Sequence, residues 1–207
     1  MITLSAFDSE IFGLRVGWSG ALHATEDLGD YDLVFLRGGF PTDLHLLSRL
    51  IDVRYDLARG PGAASDVPLY PARALDMHFC CELAERAFED TSRYFCDLRL
   101  RPRAHLVYRK WILGAFQRGD LYCIPDRGFV AVSSTSEALR LDLIAVSPSH
   151  RKEGVGRALV QGFLALPCPG ERRVRVDVGN LTALNFYLAA GFKPVAAESV
   201  QHLWRAS

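Results

Sequence analysis

At 207 residues, 49% of them hydrophobic, the chain suits one large or two small domains and can bury a substantial core. Its 24 Lys and Arg balance 24 Asp and Glu, and this zero net charge argues against general attraction to nucleic acid or a membrane surface. No apolar run approaches the roughly 20 residues of a membrane span. The start of the chain, with Asp8 and Glu10, is acidic rather than signal-like, so the expected location is the cytoplasm. The five cysteines, including adjacent Cys80 and Cys81, show neither zinc-ligand spacing nor a disulfide framework. No metal is expected, and most of these thiols are expected as small core residues.

In chain order, Tyr31–Leu36 reads as a strand, Gly38-Gly39 as a turn and Thr42–Leu50 as a helix with Leu44, Leu47 and Ile51 on one face. Asp52–Leu57 reads as a second strand. Turn formers over Gly60–Pro68 then break the pattern, dividing the chain into a small α/β unit, 1–66, and a larger one, 67–207. In the larger unit Asp76 reads as the N-cap of a helix with Cys80, Ala84, Ala87 and Phe88 inward. A second helix covers His105–Gln117, and Leu121–Ile124 and Phe129–Ser133 form a hairpin around Pro125-Asp126-Arg127-Gly128. The hairpin leads into a strand at 140–146.

That strand feeds a loop reading Arg151-Lys152-Glu153-Gly154-Val155-Gly156, followed by Arg157 and a helix. Glycines without Cβ atoms allow unusual backbone angles and close approach to a ligand, and the first N–H groups of a helix favour an anion. A tight strand-to-helix turn would use the same residues. The spacing is not that of a dinucleotide loop, where Leu159 would be glycine, nor of a P-loop, where Arg157-Ala158 would be Lys-Ser or Lys-Thr. Further on, Val174–Val178 alternates as a strand, Gly179-Asn180 breaks it, and Thr182–Ala190 carries Ala183, Phe186, Tyr187 and Ala190 at helical spacing before Gly191.

Ile144-Ala145-Val146-Ser147-Pro148 followed by Arg151-x-x-Gly154-x-Gly156 resembles the acetyl-CoA signature of the GNAT acetyltransferase superfamily. Asn180-x-x-Ala183-x-x-Phe186-Tyr187-x-x-x-Gly191-Phe192 is similar to the last helix of the same superfamily. The resemblance implies a mixed α/β sheet of the GNAT acyl-CoA N-acyltransferase fold over roughly residues 68–207, with the small N-terminal α/β domain as an addition. It implies that the amides of Arg151, Lys152, Glu153, Gly154, Val155, Gly156 and Arg157 hold the pyrophosphate of acetyl-CoA. Backbone groups of Ile144, Ala145 and Val146 would take the pantetheine arm. Phe7-Asp8-Ser9-Glu10-Ile11-Phe12-Gly13, Ala87-Phe88-x-x-x-Ser92-Arg93-Tyr94 and Tyr108-x-x-Trp111-Ile112 are similar to segments of acetyltransferases of the dTDP-fucosamine acetyltransferase type. That likeness implies a TDP-linked 4-amino-deoxysugar as acceptor.

Acetyl transfer needs a neutral amine, a donor for the oxyanion and a proton for the leaving thiolate. Tyr187 is the expected acid, since a phenol keeps its proton at neutral pH; an aromatic packed in the core is the other reading of it. Asn180 serves either as a pantetheine contact or as a helix cap. No base is fixed: Asp142 on the strand, Glu137 and a water-mediated route stand side by side. Arg93, Arg99, Arg101 and Arg103 would grip the acceptor's diphosphate, or form a solvated loop, and Tyr94 and Phe95 would stack on it or pack inside. The expected acceptor contacts are thus Arg93, Tyr94, Arg101 and Asp142. Another amine acceptor (an antibiotic, a polyamine, an amino acid or a protein N-terminus), a non-catalytic acyl-CoA sensor and a homodimer all stay open.

Overall fold

The computed structural model describes residues 1–20, 28–38, 50–60, 69–168 and 170–205. Gly39 and the break after Gly60 lie outside the described residues. So does the helix expected over Thr42–Leu50, save for Leu50 itself, which opens a strand. Among the described residues ten strands join in one mixed sheet. They are β1 (Thr3–Leu4), β2 (Val16–Ser19), β3 (Leu33–Gly38), β4 (Leu50–Arg59), β5 (Tyr70–Pro71), β6 (Leu121–Ile124), β7 (Gly128–Ser134), β8 (Ala138–Val146), β9 (Glu171–Asp177) and β10 (Lys193–Trp204). Their spatial order is β1-β2-β3-β10-β4-β9-β8-β7-β6-β5. The pairs β2·β3 and β8·β9 are parallel and the others antiparallel. The last strand lies between β3 and β4, so the N-terminal strands and the rest of the chain share one hydrogen-bonded ladder.

The helices divide between the two faces because alternate strand residues point to opposite sides. Phe129 and Ala131 of β7 pack with α1 (Ala6–Phe12), α2 (Met77–Ala87), α3 (Arg93–Cys96) and α4 (Ala104–Arg118). Val130 and Val132 pack with α5 (Val155–Ala165) and α6 (Leu181–Ala189). Asp76 precedes α2 as expected, yet its carboxylate accepts from the backbone N–H of Arg73 at 2.8 Å and caps the preceding turn instead. Gly128 is required where β7 starts, because a Cβ there would stand 2.6 Å from the carbonyl oxygen of Ala145. Among the described residues no helix is long and apolar enough to cross a membrane.

One buried polar knot ties α3 to the last strand. Asp97, which ends α3, accepts from His202 Nδ1 at 2.7 Å and Trp204 Nε1 at 2.9 Å, while its other oxygen accepts from the N–H of Arg99. The His202 ring is tilted against Phe35, centroids 4.5 Å apart, and its Nε2 is buried without a hydrogen-bond partner among the described residues. Burial pushes the His202 imidazole below its usual value, against the pull of Asp97. Burial would raise Asp97, but its hydrogen bonds outweigh that and hold it below the usual carboxylate range. Both folded values are depressed, so this stabilisation is complete above the free histidine value of about 6.5 and is lost as pH falls. Asp97→Ala, which strands the donors of His202 and Trp204, should lower stability by about 2–5 kcal/mol at neutral pH, and by at least as much at about pH 5, where the variant lacks the carboxylate that favours the charged imidazole, in urea titrations.

Candidate active site

The parallel pairing of β8 with β9 runs from Ala138↔Glu171 to Leu141↔Val174 and stops there, although both strands continue. The cause is an extra residue in β8. Leu141 pairs with Val132 and Leu143 with Ala131, leaving Asp142 as a bulge. The bulge reverses the facing of the strand. Before it Leu139 and Leu141 pack toward α5; after it Leu143 and Ala145 pack toward α4. Beyond the bulge β8 bends away from β9 and a gap opens. The N–H of Ser147 donates to the carbonyl of Arg127. Alternation along an antiparallel pair then turns the backbone groups of Ile144 and Val146 away from β7, toward the gap. Ala145 points its side chain into the core.

A cavity of about 820 Å³ occupies this gap and the space beside it. From β8 it is lined by Asp142, Leu143 and Ile144, and from β9 by Arg175 and Asp177. Asn180 and Tyr187 also line it. Asn180 caps α6, its Oδ1 accepting from the N–H of Ala183 at 3.0 Å. Tyr187 packs on Phe186 and Phe192, with ring centroids 5.5 and 5.7 Å away. No side chain among the described residues hydrogen-bonds its hydroxyl, and burial alone raises its pKa. The phenol keeps its proton at the wall of the cavity. Asp142 is raised by burial, partly offset by a hydrogen bond from Ser133 and by Arg140.

Arg151, Lys152, Glu153, Gly154 and Arg157 are exposed in the loop after β8 and the first turn of α5. Lys152 has φ +67° and Gly154 φ +83°, the left-handed region that glycine tolerates best. No side chain caps the first N–H groups of α5, and nothing stands within 4 Å of where a Gly154 Cβ would be. Val155 sends its side chain into the core. Gly156 faces Val146 and Phe186, each 3.7 Å from the position of an added Cβ.

On the other side of the sheet only Arg93 of the four arginines lines the cavity. It is 7% exposed, with its guanidinium 4.9 Å from the Trp18 ring centroid, 4.4 Å from that of Phe35 and 3.9 Å from that of Tyr94. Nη2 donates to the Tyr94 hydroxyl, which donates to Asp8 at 3.0 Å, and Nη1 is buried without a hydrogen-bond partner among the described residues. Arg101 is bound to the carbonyl of Phe95, Arg103 to that of Ile11, and Arg99 lies over the Trp204 ring. The structure does not bring these three to the cavity. Phe95 is core.

Sequence reasoning missed Asp8, Trp18, Arg37, Asp52 and Arg54, all from the N-terminal unit; all but Asp8 line the cavity, and Asp8 reaches it through Tyr94. The alternating Asp52-x-Arg54 was a visible signal of two charges on one strand face. The cavity wall carries seven Lys or Arg side chains against three Asp. Several of the cations are neutralised from outside: Glu198 lies 3.4, 2.9 and 3.0 Å from Arg37, Arg54 and Arg175. Glu10, Asp120 and Asp56 likewise pair with Lys110, Arg118 and Arg175. Arg93 has no ion pair among the described residues, and it is the buried cation of the wall that offers an anion a free charge.

A family model described as Acetyltransferase (GNAT) domain matches residues 114–194. No curated protein sequence matches the chain. Among solved structures, a protein of the GNAT family from Novosphingobium aromaticivorans is 16% identical with a TM-score of 0.56, over 87% of this chain and 77% of that one. A GCN5-related N-acetyltransferase from Sphaerobacter thermophilus is 16% identical with a TM-score of 0.55, over 83% and 60%. A tandem GNAT protein from the clavulanic acid biosynthesis pathway is 12% identical with a TM-score of 0.57, over 94% and 77%. Residues 114–194, which hold the splayed strands, the glycine loop and Tyr187, therefore match a GNAT acetyltransferase domain, in a chain with the GNAT fold.

Proposed function

We propose that the protein transfers the acetyl group of acetyl-CoA to the amine of a small anionic molecule, with a TDP-linked 4-amino-deoxysugar as the specific candidate. The observation that carries the reading is Tyr187, a buried and protonated phenol at the wall of the cavity where β8 and β9 part. Acetyl-CoA brings the acetyl group as a thioester. The chain has fitting places for it: uncapped N–H groups at the start of α5 with Gly154 in the left-handed region, exposed Arg151, Lys152 and Arg157, and the gap-facing backbone of Ile144 and Val146. In this reading Tyr187 gives its proton to the departing sulfur, and the Val146 N–H donates to the oxygen that gains charge. Residues 1–66 form an acceptor-side unit. Arg93 Nη1 takes an oxygen of the acceptor's phosphate, with Tyr94 beside it and Asp142 elsewhere on the acceptor's side of the cavity; Arg101 has no part. The nucleotide sugar is supported by the Arg93 guanidinium, which has no ion pair among the described residues, by the aromatic rings around it and by a volume sufficient for a ligand of that size.

Tyr187→Phe keeps the ring and its packing and removes the proton. Turnover in a thiol-release assay should fall by roughly 10²–10⁴ with acetyl-CoA affinity unchanged. Gly154→Val forces a branched residue into the left-handed region, and Gly156→Val crowds Val146 and Phe186. Calorimetry should show CoA binding at least tenfold weaker in either variant, with the fold retained.

Arg93→Lys keeps the charge but not the planar fork. It should raise the KM of a TDP-linked amino sugar about tenfold or more while leaving that of acetyl-CoA unchanged. Free amino sugars should be poor substrates and indifferent to the change. A simple amine acetylated as well as the nucleotide sugar would move the assignment to general amine acetylation.

A further inference from the structure

The reading above leaves one requirement unassigned, the group that takes the proton from the acceptor's ammonium. It also leaves one buried acid unused. Asp52 lies on β4, is 6% exposed, lines the cavity and has Oδ1 buried without a hydrogen-bond partner among the described residues, while Oδ2 stands 3.0 Å from Arg54 Nε. The register Arg54↔Asp177 brings Asp177 of β9 to the same place, close enough for its carboxyl to act on that of Asp52. Two carboxyl groups brought together in a buried place disfavour a second negative charge, so one of them tends to hold a proton. Arg93 independently marks the same cavity as a ligand site, with its own buried and unpartnered Nη1.

We propose, resting on the acetyltransferase reading, that the Asp52–Asp177 carboxyl pair is the general base, receiving the acceptor's ammonium and taking its proton. The balance is simple. The ammonium loses two protons as its nitrogen bonds to the acetyl carbon and the carbon–sulfur bond breaks with its electron pair on sulfur. One proton passes to the pair and on to solvent. The other replaces the proton that Tyr187 gives to sulfur.

The surroundings suit the task. Burial and then the neighbouring carboxyl of Asp177 push Asp52 up to about 7 against the pull of Arg54 and Arg93. Such a group is protonated and deprotonated with equal ease at neutral pH. Facing the pair are Arg54 from β4, Arg93 and Cys96 from α3, Tyr108 from α4, Arg175 from β9 and Glu198 from β10. Cys96 and Tyr108 are both raised, chiefly by burial, and stay neutral. Asp52 is therefore the group in this cluster that changes charge near pH 7.

The test uses the full chain, acetyl-CoA and TDP-4-amino-4,6-dideoxyglucose, with spermidine and glucosamine 6-phosphate as further amines. In wild type kcat/KM should rise with pH to a plateau near 7. Asp52→Asn should lower it by roughly 10²–10⁴ at pH 7 and shift the rise to the acceptor amine's own pKa, so that the deficit narrows at high pH. Acetyl-CoA affinity should not change. Asp177→Asn, the second variant, should move the limb in the acidic direction, because Asp52 loses its like-charged neighbour. Carbon-13 NMR of aspartate-labelled protein should show one carboxyl titrating near pH 7 that disappears in Asp52→Asn. An unmoved limb in an active Asp52→Asn, or a limb that moves instead with Asp142→Asn, overturns the base and leaves the acetyltransferase reading standing. Wild type that acetylates none of the three amines overturns both.

Discussion

Everything at the site depends on β8 leaving β9. A parallel pair carried to the ends of both strands would satisfy the backbone groups of Ile144 and Val146 within the sheet and leave no slot. The single extra residue at Asp142 prevents this, because it shifts the register against β7 and bends the strand while the antiparallel side stays paired. The bulge also exchanges which side chains enter which core layer, so Leu143 and Ala145 anchor the bent half on the α4 side. The strand is thus held in its divergent path from one face. The backbone it exposes is polar and free to bind.

The second requirement is a set of polar groups kept inside an apolar shell. Arg93 is held by three rings rather than by a carboxylate, which leaves donor capacity unspent in a place where an unpaired donor is costly. Asp52 Oδ1 is the complementary case, an acceptor without a donor. Folding tolerates both because the surrounding frame is over-determined: Asp97 fastens α3 to β10, and β10 is itself paired on both edges. Buried polar groups without partners, facing one cavity from different elements, are what a polar ligand would complete.

The N-terminal strands matter because of where the last strand goes. By entering between β3 and β4, β10 brings residues about 150 positions apart into register, such as Val200 with Asp52. Because β4 also borders β9, Asp52 and Arg54 come within reach of Asp177 and Arg175. One part of the cavity wall consequently comes from residues 7–118, set in place by a strand from the far end of the chain, whereas another comes from the stretch 140–187.

That division also marks what could be read from the chain. Local spacing sufficed for the hairpin 121–134, the strand ending at Val146, the glycine loop at 151–156 and the helix carrying Tyr187. Each is specified by neighbours within a few residues: alternation, left-handed glycines and helical periodicity. The arginines at 93–103 show the limit. They are close in sequence, but α3 and the turn after it point them to different carbonyls and rings, so three of the four leave the cavity. The bulge at Asp142 has no local signature, because it is a mismatch between two strands and exists only once they pair. The meeting of Asp52 with Asp177 is likewise a matter of register between strands 125 residues apart, set by β10 and the packing of two cores and not by any pattern near either residue.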